Sequence, residues 1–434
     1  MRRRVKLSVI AALFVFVALL VFKSSPRDKA FSVGSPLPVG KVKPQLVSAW
    51  DTGALLAPDG SLWAWGGTEH WFVELFGKTN TTPTPQQVGT DRDWRTVAAN
   101  SSHMLAIKAD GSLWTWGKWP GAPKQETIPS STVPRRIGSE SDWREIAVGA
   151  THCMARKRDD SLWTWGRNHY GQLGIETTNV IHNPMRIGDG QWKTIAAGAF
   201  NSYALRVDGT LWGWGIDPLG AQSGNHAFSP GPIDPGTNWT AISASSYCLL
   251  ALKADGSLWL RGQNARWAAP AFLTNATAAL TQVGSDRDWG QIYCGEMHFF
   301  ARKADGSWWV CGQNNDAQFG LGARMEVHNI DSPQRLPYSF EPWAMALGAE
   351  GGTTLALLRD GTLWTCGIRL GEDKPSSRFD GFKITANRFL QHLPGRPFLA
   401  IRQFKTDTVP RKLWTLPPEV IRSLGESNVN ASSR

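Results

Sequence analysis

An all-β chain made of seven copies of one blade-like unit is what the sequence predicts, and three observations predict it. An eight-residue core recurs seven times at near-constant spacing. Turn residues separate short apolar runs inside each copy. The composition is skewed toward that core, with 23 Trp and 44 Gly but only 5 Tyr in 434 residues.

The cores are DGSLWAWG (59–66), DGSLWTWG (110–117), DDSLWTWG (159–166), DGTLWGWG (208–215), DGSLWLRG (255–262), DGSWWVCG (305–312) and DGTLWTCG (360–367). The leading Asp recurs after 51, 49, 49, 47, 50 and 55 residues. Self-similarity at this period marks a solenoid or a propeller array.

Each copy reads as four strands. The first follows a Trp placed 16 residues before the Asp: Trp94, Trp143, Trp192, Trp239 and Trp289, with Trp343 at 17 in the last copy. WREIAVG and WKTIAAG alternate apolar and polar residues, as a half-buried strand does. The second strand, as in SYALRV, ends at Asp-Gly, a hairpin signal read here as a type I′ turn with positive φ at both central residues. The third is the SLWTW run, closed by Gly. The fourth carries Pro, as in TPQQVG, VPRRIG and NPMRIG, which suits an edge strand. The position four before the Asp is Leu55, Ala106, Ala155, Ala204, Ala251, Ala301 and Ala356. A small side chain there implies a crowded contact. The core tryptophans Trp63, Trp114, Trp163, Trp212, Trp259, Trp309 and Trp364, and Trp65, Trp116, Trp165 and Trp214 two residues later, are expected to be packing wedges between blades.

These residues resemble the RCC1 repeat family, whose unit looks like GxxHTxALxxDGxVYxWGxNxxGQLG. The third copy matches best, with Thr151-His152 before Asp159 and GRNHYGQLG over 166–174. The sixth follows with Gly312-Gln313-Asn314 and Gln318-Phe319-Gly320, Ala317 replacing a glycine. The resemblance covers about residues 45–367 and implies a seven-bladed β-propeller of the prokaryotic, exported type. Segment 37–42, LPVGKV, looks like TPQQVG and is expected to complete blade seven. Residues 368–434 carry no further repeat. Trp414 is expected on the outside of the ring, and 425–434 to be disordered.

The domain reading is therefore 1–23 signal anchor or transmembrane segment, 24–43 linker with a possible blade-closing strand, 44–367 propeller and 368–434 basic extension. Arg2, Arg3, Arg4 and Lys6 precede an apolar run over 7–22. Sixteen helical residues span about 24 Å. Lys6 and Lys23 can extend that reach by snorkelling, and no small-x-small cleavage site follows. An uncleaved anchor with an extracytoplasmic propeller is the preferred reading, and secretion after cleavage the alternative.

Charge argues against nucleic acid. The net charge of +10 resides in the termini: residues 1–29 carry seven basic groups and one acid, and 368–434 carry 12 and six. The middle is near neutral, with 27 basic and 29 acidic residues. It lacks the basic footprint that phosphate backbones require.

Catalytic signals are missing. No HExxH, paired Cys-x-x-Cys, G-x-S-x-G elbow or phosphate-binding glycine loop occurs. His103, His152 and His298 share one repeat phase, seven before the Asp, which would gather them near the axis. The family resemblance implies a structural role for them. No catalytic residue, metal or cofactor is expected. Of the five cysteines, Cys294 and Cys311 are the candidate bridge within one blade, with small buried hydrophobes the better reading.

Recognition is expected on the loops that break the repeat, 67–84, 118–132, 216–235, 266–281 and 323–332. They carry Trp71, Phe72, Trp119, Trp267 and Phe272, aromatics of the kind that anchor protein interfaces. The leading function is a membrane-anchored protein-binding scaffold. Surface-glycan binding is the alternative. Guanine-nucleotide exchange, known for one nuclear member of the family, and enzymatic activity rank lower.

Overall fold

The computed structural model describes residues 35–49, 52–66, 82–100, 103–117, 134–216, 226–246, 248–262, 280–296, 298–314, 316–321, 329–338, 340–348, 352–368 and 406–431. They form seven antiparallel four-stranded sheets. In each sheet the strands pair in chain order, so every blade is a meander. Blade two shows the pattern: Trp94–Ala99, His103–Lys108, Leu113–Gly117 and Arg135–Ile137. The first strands touch one another in blade order, and that of blade seven (Pro342–Leu347) touches that of blade one (Gln45–Ala49). The ring is closed, with the first strands innermost and the Pro-bearing fourth strands outermost.

The hydrophobic core is distributed. Each of seven apolar clusters straddles two adjacent blades. One joins Leu105, Ile107 and Leu113 of blade two to Trp143, Ile146, Cys153 and Trp165 of blade three. The second strand therefore faces a core on both sides, and His152–Lys157 is buried along its whole length. Such strands read as continuous apolar runs, whereas the first strands keep the alternation seen in WREIAV.

The small residue four before the Asp now has its reason. Ala106, Ala155, Ala204, Ala251, Ala301 and Ala356 stand directly opposite the core Trp of the next strand in the ladder. An alanine there leaves room for the upstream indole, which meets the core indole edge-on at 5.7–6.1 Å in blades two to six. A cation two residues before the Asp lies against both rings. Lys157 Nζ is 4.8 Å from the Trp143 ring centre and 4.6 Å from that of Trp163. Lys108, Arg206, Lys253 and Lys303 repeat the arrangement. Each such contact is worth about 0.5–1 kcal/mol.

Several expectations are corrected. The fourth strand of blade seven is Thr406–Thr415, not 37–42. Segment 37–42 does cross the junction of blades seven and one. It does so as an irregular link, with Leu37 N–H donating to Arg359 O and Val42 N–H to Pro58 O. Trp414 sits in that late strand and packs against Trp63 of blade one, with ring centres 5.0 Å apart. The expected disordered end contains a helix, Pro418–Ala431, whose Val420 and Leu424 are buried.

The upstream slot of blade seven belongs to Pro342, paired with Leu358, while Trp343 falls in the adjoining bulge. The Asp-Gly turn is not type I′. Only the residue after the Asp has positive φ, Gly60 at 86° and Gly111 at 83°, for example. Gly60 N–H donates to Ala57 O and Ala57 N–H to Ser61 O, a type I turn followed by a left-handed glycine. Cys294 and Cys311 cannot bridge within their blade. Both pair with Phe299, from opposite sides, so two strand spacings of about 4.8 Å separate them. All five cysteines are free.

Candidate functional site

Meander topology gives the ring two unlike faces. The Asp-Gly turns and the blade-to-blade links lie on one; the first-to-second and third-to-fourth strand connections lie on the other. Backbone bonds between blades keep all units in the same sense. Trp143 N–H donates to Gly111 O, Trp192 to Asp160 O, Trp239 to Gly209 O and Trp289 to Gly256 O.

The turn face is committed to structure. In every blade the Asp Oδ1 accepts the backbone N–H and the hydroxyl of the Ser or Thr two residues on. That hydroxyl accepts the indole N–H of the core Trp. The hydroxyl bond, then the backbone bond, holds the carboxyls of Asp110, Asp159, Asp208, Asp255 and Asp305 below the usual carboxylate range. The recurring Asp, Ser/Thr and Trp are thus one hydrogen-bonded relay and not an array of acids.

On the other face, His103 and His152 latch blade to blade. His103 Nε2 lies 3.1 Å from Cys153 Sγ of blade three, and His152 Nε2 lies 2.8 Å from Ser202 Oγ of blade four. Burial lowers the pKa of His103, His152 and His298 to about 3, and the His152 charge adds to the effect on His103. They are neutral imidazoles held inside the ring wall, not ligands facing its axis. Gly149 makes the latch possible, because a Cβ there would collide with the His152 ring. Among the described residues no three metal-ligating groups stand together.

The GQLG segment of blade three, and its counterpart in blade six, brace the next blade. Asn168 Oδ1 accepts Leu173 N–H at 2.8 Å, and Gln172 O accepts Ser202 Oγ at 2.8 Å and Trp214 Nε1 at 3.0 Å. In blade six Asn314 accepts Phe319 N–H at 3.1 Å, and Gln318 O accepts Thr354 Oγ1 at 2.8 Å. Ala317 takes the left-handed conformation, φ 59°, that Gly171 adopts at 80°.

This bracing places a group of rings on the loop face between blades three and four. Tyr170, on the GQLG segment, meets Phe200 at 5.2 Å and His226 at 5.5 Å. All three are partly exposed, and the exposed Arg167, His169 and Glu176 flank them. The sequence carried only a weak sign of this cluster, since the three residues occupy the free positions of three different motifs. The anchors expected from sequence, Trp71, Phe72, Trp119, Trp267 and Phe272, lie outside the described residues. The strand ends that bracket them, Gly66 and Thr82, Gly117 and Arg135, Gly262 and Thr281, belong to this same face.

The anchor segment 1–23 also lies outside the described residues. Among the described residues no helix is long and apolar enough to cross a membrane.

Comparison with known proteins agrees with this architecture. Family profiles described as the regulator of chromosome condensation (RCC1) repeat match residues 159–205 and 143–172. No curated protein matches the chain by sequence. Among solved structures, human WBSCR16 superposes with a TM-score of 0.61 at 18% identity, over 70% of this chain and 84% of that one. Prp20p of Saccharomyces cerevisiae, described with its binding to Gsp1p and histones, gives 0.65 at 14%, over 91% and 97%. Yeast RCC1 (Prp20) bound to Kap60 gives 0.64 at 15%, over 93% and 99%. At these identities the likeness is one of fold.

Proposed function

From its place as an RCC1-like seven-bladed propeller, we propose that this chain is a protein-binding module whose docking surface is the loop face. The observation that carries the reading is the partly exposed Tyr170–Phe200–His226 cluster on a rigid ring, on the face where the repeat gives way to connections of unequal length. Rings that need no reordering lose little entropy on docking, and their tips offer polar handles. Prp20p, of similar fold, binds other proteins, which supports the same use of a propeller here. The near-neutral body favours a protein partner over nucleic acid. Residues 1–23 are the proposed membrane anchor, with the propeller on the extracytoplasmic side. Glycan binding through the loop tryptophans Trp71, Trp119 and Trp267 is the second reading for the same face.

A crosslinking capture from the native envelope tests the docking surface. The full chain is compared with a variant carrying Tyr170, Phe200 and His226 as Ala, and with one carrying Trp71, Trp119 and Trp267 as Ala. A protein captured by the parent and lost from either variant is the expected result. Equal capture by all three moves the site off this face. Capture competed by free sugar replaces the protein reading with the glycan one. Resistance to carbonate extraction is expected of the anchor, and release by carbonate excludes it.

A further inference from the structure

The junction of blades five and six departs from the repeat at two positions that face each other. Where blades two, three and six begin their second strand with His103, His152 and His298, blade five has Cys248. Where blades two to five end their first strand with Ala99, Val148, Ala197 and Ala244, blade six has Cys294. Packing asks for neither cysteine, since every other blade does without this pair.

The two sulfurs share their surroundings. Ser245 Oγ is 3.3 Å from Cys248 Sγ and 3.5 Å from Cys294 Sγ, and the Gly295 carbonyl is 3.8 Å and 3.6 Å from them. Cys294 Sγ also donates to the Cys248 carbonyl at 3.7 Å. The remaining cysteines are engaged elsewhere: Cys153 with His103, Cys311 with Ile330 O and Cys366 with Gln318 O.

The pair is asymmetric. Cys248 is partly exposed, whereas Cys294 is buried. The bond from Cys294 and that from Ser245 lower the Cys248 thiol pKa, in spite of burial. Burial, and then the neighbouring Cys248, push Cys294 well up. An accessible thiol with a stabilised thiolate beside a protected one is the arrangement of an attacking and a resolving cysteine.

We propose that Cys248 and Cys294 form a dithiol modification site that reacts with small-molecule disulfides and closes to a disulfide between blades five and six. The Cys248 thiolate attacks one sulfur of the incoming disulfide, breaks its S–S bond and releases one thiolate. Cys294 gives up its proton and attacks the Cys248 sulfur of the mixed disulfide, releasing the second thiolate. Two protein thiols are oxidised by two electrons, and the incoming disulfide is reduced to two thiols that take up the two protons. Closure brings the two sulfurs, which share Ser245 Oγ and the Gly295 carbonyl, to about 2.05 Å. It staples the inner strand of blade six to blade five at the loop face.

The test uses the full-length protein with oxidised glutathione as the probe, followed by alkylation and peptide mapping under non-reducing conditions. The expected result is a loss of two hydrogen atoms and one linked pair of peptides, those holding Cys248 and Cys294. Cys294→Ser is expected to trap glutathione on Cys248, and Cys248→Ser to leave Cys294 unmodified while folded. Both thiols free after equilibration, a link between other cysteines, or wild-type protein that stops with glutathione on Cys248 each overturn the proposal. The wild-type mapping decides the matter even if a variant fails to fold.

Discussion

Individual residues hold this ring together through geometry as much as through burial. The Asp–Ser–Trp relay repeats in all seven blades, so replacing one Asp removes two accepted hydrogen bonds and loosens one indole. Asp110→Ala is expected to cost about 1–3 kcal/mol, read from the urea midpoint. An unchanged midpoint would show that the relay is ornamental. Ala317 is held at φ 59°. Ala317→Gly relieves a left-handed alanine and is expected to stabilise by about 0.5–1 kcal/mol. Asp160, at φ 61°, is in the same conformation, but its carboxylate pairs with Arg156 and Arg144. Asp160→Gly should therefore gain less than Ala317→Gly, and the reverse order would refute this account of the strain. The relay was half legible in the sequence. Asp-Gly announced a turn, but its type depended on a hydroxyl two residues on and an indole two residues beyond that.

At the scale of the element, the second strands carry the latch that responds to pH. The latch histidines His103 and His152, and the buried His298 with them, have pKa values of about 3 in the fold against 6.5 in the free chain. Between those values the unfolded chain binds protons that the folded ring refuses. Stability contributed by the latch is complete above pH 6.5 and is lost as pH falls toward 3. The turn carboxylates, with lowered pKa values, lose theirs on the acid side of the same range. His152→Asn, imitating Asn201 of blade four, is expected to flatten the stability slope between about pH 5 and 6.5, where free histidine titrates and few carboxylates do. A slope identical to wild type excludes His152 as its source. The C-terminal helix is the element the sequence concealed, because among its described side chains the apolar face is short, Val420, Ile421 and Leu424, with Leu416 just before it. Leu424→Ala is expected to cost about 2–4 kcal/mol.

For the whole molecule, closure is the decisive event. Blades two to six wedge a cation between two tryptophans, but the junction of blades seven and one has Leu358 and Ala57 at that position. Cation clamps are replaced there by an apolar cluster of Leu55, Trp63, Leu355, Leu357, Leu363, Leu416 and Val420. The late strand and helix complete it from 38 residues beyond the last repeat strand, Thr362–Ile368. A chain ending at residue 367 is expected to melt over a broader range and at a lower temperature in calorimetry, since both flanking blades lose their seal. An unaltered, cooperative melt would assign closure to the first strands alone.

Repetition is a property of sequence, so the number of blades, the four strands of each and the wedge tryptophans were decided there. Each rests on local periodicity and on turn chemistry that a single unit contains. What the tertiary structure alone decided are the relations between units. It chose the tail over residues 37–42 to finish blade seven, because Thr406–Thr415 pairs along the whole of Thr362–Ile368 while 37–42 is tied to the Arg359 and Pro58 carbonyls at the junction. It set Pro342 in a slot that Trp343 had claimed by count, because the link from first to second strand is longer in blade seven, where Leu347 pairs with Thr354, than in blade two, where Ala99 pairs with Met104. It also brought Cys248 to Cys294 and Tyr170 to Phe200, pairs of different blades that sequence distance hides and ring closure makes neighbours.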